Sequence, residues 1–271
     1  MTQKNDYEFI RGYVSAYLGI QPSEKLRPLT RAKLSEFSKK YQVLDWLTFL
    51  NKLKDNPSDK INEDFVDIFV VGHTSFLRNR KQFDLFKKLV LPDILNNQQI
   101  DKSIDLRIWS AGCSTGEEPY SIIISLMQYF GEKYSLITGG VLATDISEKS
   151  LDYARIGKYS NSKVGAKIKQ YISPYIRDVN DHSFEIKKHV RKECTFRKFN
   201  LIERRYPFKD KFHTIFCRNV LFYFNAAYRH QVQAKIVDSL YNGGYLFLGD
   251  AEKFDFGVYG LSRIGNGVYK K

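Results

Sequence analysis

The sequence predicts an α/β fold, with a mainly parallel sheet preceded by an all-helical domain and interrupted by a small antiparallel β-subdomain. Three observations predict it. Apolar residues recur at three- and four-residue intervals through the first 90 residues, and strands alternate with helices after residue 105. That alternation then breaks between Lys158 and Phe199.

"DYEFIRGYVSAYLG" sets Tyr7, Ile10, Tyr13, Val14 and Tyr17 on one helical face and closes on Gly19. "RAKLSEFSKKY", "VLDWLTFLNKLK" and "NEDFVDIFVVG" continue the pattern, the second ending before the turn cluster "DNPSD", so residues 1–90 form a small helical domain. A further helix, "KQFDLFKKLVLPDIL", runs into the polar connection "NNQQIDKSID", making 91–105 a linker. The sheet domain, 106–271, reads as strand "LRIWSAG", helix "EPYSIIISLMQYFG", strand "GGVLATDIS" and helix "EKSLDYARIGKY". Later come strand "FHTIFCRNV", helix "AAYRHQVQAKIVDSLYNGG" ending on its glycines, strand "YLFLGDAE", and a last antiparallel strand in "GNGVYKK". "HSFEIKKHVRKECTFRKFN" reads as two short strands joined by a basic turn, within a subdomain inserted at 158–197.

The chain's 271 residues, 43% of them hydrophobic, suffice for one or two cores. No apolar run approaches the length of a membrane span, and the start lacks a signal-peptide layout. Three cysteines without a CxxC and five scattered histidines point to a reducing cytoplasm and to no metal site. Of the net charge of +13, +10 comes from residues 155–211, where 16 Lys/Arg face 6 Asp/Glu. Such a surface attracts an acidic protein, nucleic acid or an anionic membrane, or it is a solvated face.

The stretch "SAGCSTGEEPY" is the chemical focus. A glycine turn opening a helix exposes backbone N–H groups, and a phosphate loop would add a lysine there. Here Glu117 and Glu118 follow Gly116 instead. The fitting ligand combines close backbone approach with a cation; S-adenosylmethionine has a sulfonium, an ammonium and one carboxylate. The same residues would also make an ordinary strand–helix turn whose acids complement the helix dipole. Asp145 closes the next strand, where an acid accepts ribose hydroxyls, or it caps the helix near "SEKS".

With "TSFLRNRKQF", "IWSAGCSTGEEPYSI", "ATDISEKSLDYARIGKY", "TFRKFNLIE", "FHTIFCRNVLFYF" and "GGYLFLGDAE" in this order, the chain resembles the CheR family of chemotaxis receptor glutamate methyltransferases from about residue 65 onward. The resemblance implies a Rossmann-like S-adenosylmethionine-dependent methyltransferase domain with an inserted β-subdomain, and S-adenosylhomocysteine as product. It implies cofactor contacts from Thr74, Arg78, Glu117, Asp145, Asn200, Leu201, Arg218 and Asn219, with Tyr223 near the transferred methyl. Glu117 is expected to meet the methionyl ammonium and Arg78 its carboxylate. Arg78 would otherwise be a surface ion pair, and Tyr223 core packing.

The implied acceptor is a glutamate γ-carboxylate of a chemoreceptor, already ionised at neutral pH, so no general base is required. The resemblance implies that the helical domain 1–90 docks on the substrate, the receptor cytoplasmic domain, whose C-terminal tail some family members add to the β-subdomain edge; a cytoplasmic monomer recruited to receptor arrays at the inner membrane is expected. Three features depart from the family pattern: Gly72 replaces an asparagine, "LGDAE" replaces "GHSE", and Pro28 and Glu36 interrupt the basic helix carrying Arg27, Arg31, Lys33, Lys39 and Lys40. The rival readings are a nucleic-acid methyltransferase, for which no [DN]PP[YF] motif is found, and a non-catalytic cofactor-binding signalling domain.

Overall fold

The computed structural model describes residues 4–55, 60–70, 72, 74–96 and 103–271. The turn cluster at 56–59 and most of the polar connection, 97–102, lie outside them.

Four helices come first: α1 (Lys4–Tyr17), α2 (Arg27–Lys40), α3 (Trp46–Asp55) and α4 (Lys60–Asp67). Their apolar faces meet in one cluster around Ile10, Val14, Leu34, Phe37, Leu50 and Phe65. Pro28 does not interrupt α2. It sits in the first turn, where its missing N–H has no partner to lose. Two of the expected docking cations are engaged within the protein, Arg27 with Glu8 at 2.7 Å and Lys40 with Asp64 at 2.6 Å.

A second helical stretch runs through α5 (Arg80–Leu85), a π turn (Phe86–Val90) and α6 (Leu91–Asn96). Pro92 cannot donate an N–H to Lys88, and the widened turn immediately before it accommodates the ring. This stretch crosses the expected junction at residue 90, and Phe83, Phe86, Val90, Leu91 and Ile94 all pack into the core of the sheet.

The sheet has seven strands in the order β6–β2–β1–β7–β8–β10–β9. These are β1 (Ile104–Ala111), β2 (Ile137–Asp145), β6 (Cys194–Lys198), β7 (Phe212–Cys217), β8 (Leu240–Leu248), β9 (Ser262–Gly265) and β10 (Val268–Lys270). The first five in spatial order are parallel, and β10 runs antiparallel to both neighbours, as "GNGVYKK" suggests. Alternation along each strand feeds two cores. Ile108, Phe216 and Phe247 face α7 (Glu117–Phe130) and the 80–96 stretch, while Trp109, Ile215, Leu246 and Leu248 face α11 (Ala226–Asp238). This is the expected α/β methyltransferase-type architecture.

Between α8 (Glu148–Ile156) and β6, the chain builds a second sheet in the order β3–β5–β4. It consists of β3 (Lys158–Ser160), β4 (Ile176–Asn180) and β5 (Ser183–Ile186), with α9 (Ala166–Ile172) beside it and α10 (Lys188–Arg191) after it. Two expectations are corrected here. The segment "ECTFRK" is not the second strand of the insertion; as β6 it returns to the main sheet beside β2, where Phe196 is buried against Tyr120. The helix expected to end on Gly243 and Gly244 ends at Asp238, and both glycines lie in β8. There they take up the register shift between the Phe212–Leu240 and Thr214–Tyr245 pairs.

Candidate active site

Strand order reverses around β1, which has β2 on one side and β7 on the other. At such a point the two crossovers diverge and leave a crevice beyond the strands' carboxyl ends. A cavity of about 260 Å³ lies there. Its wall takes Gly112–Ser114 after β1, Asp145 and Ile146 after β2, Phe199–Leu201 after β6 and Arg218–Val220 after β7. Thr74, Arg78 and Tyr223 line it as well. Eight of the nine residues picked from sequence therefore converge on one space.

The exception is Glu117. It is 4% exposed, accepts a hydrogen bond from Thr115 Oγ1 at 2.6 Å, and does not line the cavity. Glu118 does. Adjacent helical side chains point about 100° apart, so only one of the pair can face the crevice. Glu118 Oε1 accepts from Ser110 Oγ at 2.8 Å, and Oε2 pairs with Arg218 Nη1 at 3.2 Å. Burial pushes both carboxyls above the ordinary range, opposed at Glu117 chiefly by Thr115 and at Glu118 chiefly by Arg218.

Asp145 Oδ2 accepts the Ser114 N–H at 2.8 Å and Oδ1 accepts the Ser147 N–H at 3.0 Å. It does not cap α8. Ser147 does so, accepting the Ser150 N–H at 3.0 Å. Asp145 is thus held by the backbone of two loops, with lone pairs left to face the cavity. Burial raises its pKa against those backbone bonds.

Arg78 sits between two residues in the left-handed region, Leu77 at φ +52° and Asn79 at φ +58°. Such conformations cost about 1–3 kcal/mol each and persist where surrounding contacts over-determine them. The contacts are present: the Leu77 N–H donates to Ser121 Oγ at 2.9 Å, and the Asn79 amide donates to both Asp250 oxygens at 2.8 and 3.0 Å. Arg218 Nη2 also donates to the Arg78 carbonyl. The exposed Arg78 side chain is thereby presented from a fixed backbone.

The helical domain adds to the wall through Leu18, Ile20, Phe69 and Val70. It is pinned there by the Ile20–Phe224 bridge, by Gln21 N–H donating to the Tyr223 carbonyl at 2.6 Å, and by Ser147 Oγ donating to Asp67 at 2.6 Å. Tyr223 is partly buried, and that burial raises its pKa while Arg78 lowers it.

Sequence reasoning missed three features. Glu118 was seen only as the partner of Glu117. Glu252, in "LGDAE", accepts the N–H groups of Val220 and Leu221 at 2.7 Å and of Gly249 at 2.6 Å, clamping the loop that presents Arg218 and Asn219. Nothing in the first 70 residues signals a cavity wall, because Leu18 and Ile20 look like any helix-terminal apolar residues. Among the described residues, no group of three or more His, Cys, Asp or Glu is placed to hold a metal ion, and no helix is long and apolar enough to cross a membrane.

Residues 72–263 match the family model described as CheR methyltransferase, SAM binding domain. The chain is 33% identical over 253 residues to a chemotaxis protein methyltransferase of Borreliella burgdorferi, spanning 93% of this chain and 89% of that protein. It is 30% identical over 269 residues to a chemotaxis protein methyltransferase of Listeria innocua, spanning 99% of this chain and 98% of that one.

Proposed function

The chain belongs to the CheR methyltransferase family, whose cofactor is S-adenosylmethionine, and we propose that its acceptor is the side-chain carboxylate of glutamates in chemoreceptors. The products are then glutamate methyl esters and S-adenosylhomocysteine. The relatives' names favour this over nucleic-acid methylation and over a non-catalytic signalling domain.

The observation that carries the reading is a cavity wall that presents both signs of charge at once, Glu118 beside Arg218, with Arg78 on the same space. A methionyl tail is zwitterionic and complements such a wall. Two buried polar atoms of the lining, Ser114 Oγ and Arg218 Nε, have no hydrogen-bond partner among the described residues and suit a polar ligand. Arg78 would hold the tail's carboxylate, and Glu118 takes the ammonium role that the sequence suggested for Glu117. Asp145 would accept the ribose hydroxyls, with Thr74, Asn200, Leu201 and Asn219 completing the wall.

When bound, the cofactor supplies an electrophilic methyl on its sulfonium. The protein's task is to orient and to dry the site. Leu18, Ile20 and Phe69 bring apolar surface over the crevice, and Tyr223, on the same wall, would meet the acceptor. Holding two reactants in line is worth about 7–11 kcal/mol, and an ionised acceptor asks for no base. The partner is the cytoplasmic domain of a chemoreceptor, which recruits a monomeric, cytoplasmic enzyme to receptor arrays. A receptor tail adds to an open edge of the small sheet, where Arg177–Asn180 of β4 are exposed.

The test is incubation with methyl-labelled cofactor and a receptor cytoplasmic domain. Base-labile label on receptor glutamates is expected. Label on RNA alone, or cofactor binding without transfer to receptor, would overturn the reading.

A further inference from the structure

The inserted sheet reaches the cofactor turn through one side chain. Tyr159, the middle residue of β3, is 1% exposed, and its hydroxyl donates to the Thr115 carbonyl at 2.7 Å. The next residue, Gly116, has φ +94°, and a Cβ there would lie 3.0 Å from Tyr159 Oη and 2.7 Å from Ala154 Cβ. The turn is therefore pressed against β3 and α8. The Tyr159 ring also meets Phe76 edge-on at 4.9 Å between centroids, two residues before Arg78, and lies 5.8 Å from Phe184 of β5. One buried ring thus touches the glycine turn, the segment that presents Arg78, and the inserted sheet, without lining the cavity itself.

We propose that Tyr159 is a positioning residue through which the inserted β-subdomain sets the shape of the cofactor turn. Ser114 is held at φ +50°, a conformation that needs support from its surroundings. Its N–H is the donor to Asp145 Oδ2. The phenol fixes the neighbouring Thr115 carbonyl, and with it the orientation of Ser114 and the grip on Asp145. The insertion is then part of the cofactor site as well as a module beside it.

This inference rests on S-adenosylmethionine as cofactor, and the test keeps the two apart. Tyr120 provides the control: it is fully buried, and its hydroxyl donates to the Ala154 carbonyl on α8 at 2.7 Å rather than to the backbone of the turn. Each of Tyr159→Phe and Tyr120→Phe removes one buried hydroxyl bond, so both should lower the melting temperature by similar amounts. In calorimetric titration with S-adenosylhomocysteine, Tyr159→Phe should bind about three- to tenfold more weakly than wild type. Its KM for the methyl donor should rise in step while kcat stays within about twofold, and Tyr120→Phe should match wild type in both.

Wild-type affinity in Tyr159→Phe, or equal weakening in both variants, would overturn the proposal. If Tyr159→Phe does not fold, Phe184→Leu repacks the same ring from the inserted sheet; weaker binding supports the proposal and unchanged binding overturns it. Wild-type protein that binds no S-adenosylhomocysteine would instead remove the cofactor reading on which the proposal stands.

Discussion

Arg218 and Glu118 form an ion pair in the cavity wall, 3.2 Å between Nη1 and Oε2, with side chains only 3% and 12% exposed. Both charges have left water, and removing one partner leaves the other stranded, at a cost of about 3–5 kcal/mol. Arg218→Ala should lose about that much stability in urea unfolding, together with its binding of S-adenosylhomocysteine. The double change Arg218→Met with Glu118→Leu should recover much of the stability but none of the binding. Wild-type affinity in the double variant would show that the pair only packs the wall.

Glu252 accepts three backbone N–H groups within 2.7 Å, and all three belong to the loops after β7 and β8. Glu252→Ala leaves those donors without a partner in a poorly hydrated place. An unfolding free energy lowered by about 3 kcal/mol or more is expected, along with a weaker hold on the cofactor, since Arg218 and Asn219 ride on the clamped loop. Glu252→Gln, which keeps an acceptor oxygen, should lose less. Equal losses in the two variants would mean that the carboxylate's acceptor role is not what matters.

The parallel sheet was legible because its period is local: "LRIWSAG" and "FHTIFCRNV" are short apolar runs between helices, and each is a strand. Glu118 and Glu252 were not, because what distinguishes them is set by tertiary contacts. Glu118 differs from Glu117 only by the rotation of one helical step, and Glu252 acts on backbone groups some 30 residues earlier in the chain. The strand "ECTFRK" was placed in the wrong sheet for the same reason. Its composition suits an edge strand anywhere, and only the buried side of Phe196 chooses the neighbour.

Burial raises the Glu117 carboxyl above its ordinary value of 4.5. The folded state therefore keeps its proton to higher pH than the unfolded chain does, and the group's contribution falls as pH rises through that folded value. Glu117→Gln retains an acceptor for Thr115 and does not titrate. Wild-type stability minus that of Glu117→Gln should thus fall from about pH 4.5 upward and level off once the folded carboxyl has ionised, measured by urea unfolding across pH 4–8. A difference that rises with pH would mean that the carboxylate is stabilised as an anion.

Arg78 is exposed and Tyr223 partly buried, yet both line the cavity. Arg78→Ala should leave the melting temperature of the free protein nearly unchanged while abolishing turnover. Tyr223→Phe should bind S-adenosylhomocysteine as wild type does but turn over about ten- to a hundredfold more slowly, because the acceptor loses its alignment. Full turnover in either variant would remove that residue from the reaction.

Gly19 lets the helical domain come close enough to complete the cavity. It has φ +73°, and a Cβ there would collide with Ile202 Cγ2 and lie 3.3 Å from Phe224 Cδ1. The next two residues, Ile20 and Gln21, bond the backbone of Phe224 and Tyr223. Gly19→Ala adds about 1–2 kcal/mol of left-handed strain and a clash of about 1–3 kcal/mol. Lower stability and a raised KM for the methyl donor should appear together, since Leu18 and Ile20 form part of the same wall. A variant that loses stability while keeping a wild-type KM would show that the cavity does not depend on how this junction seats.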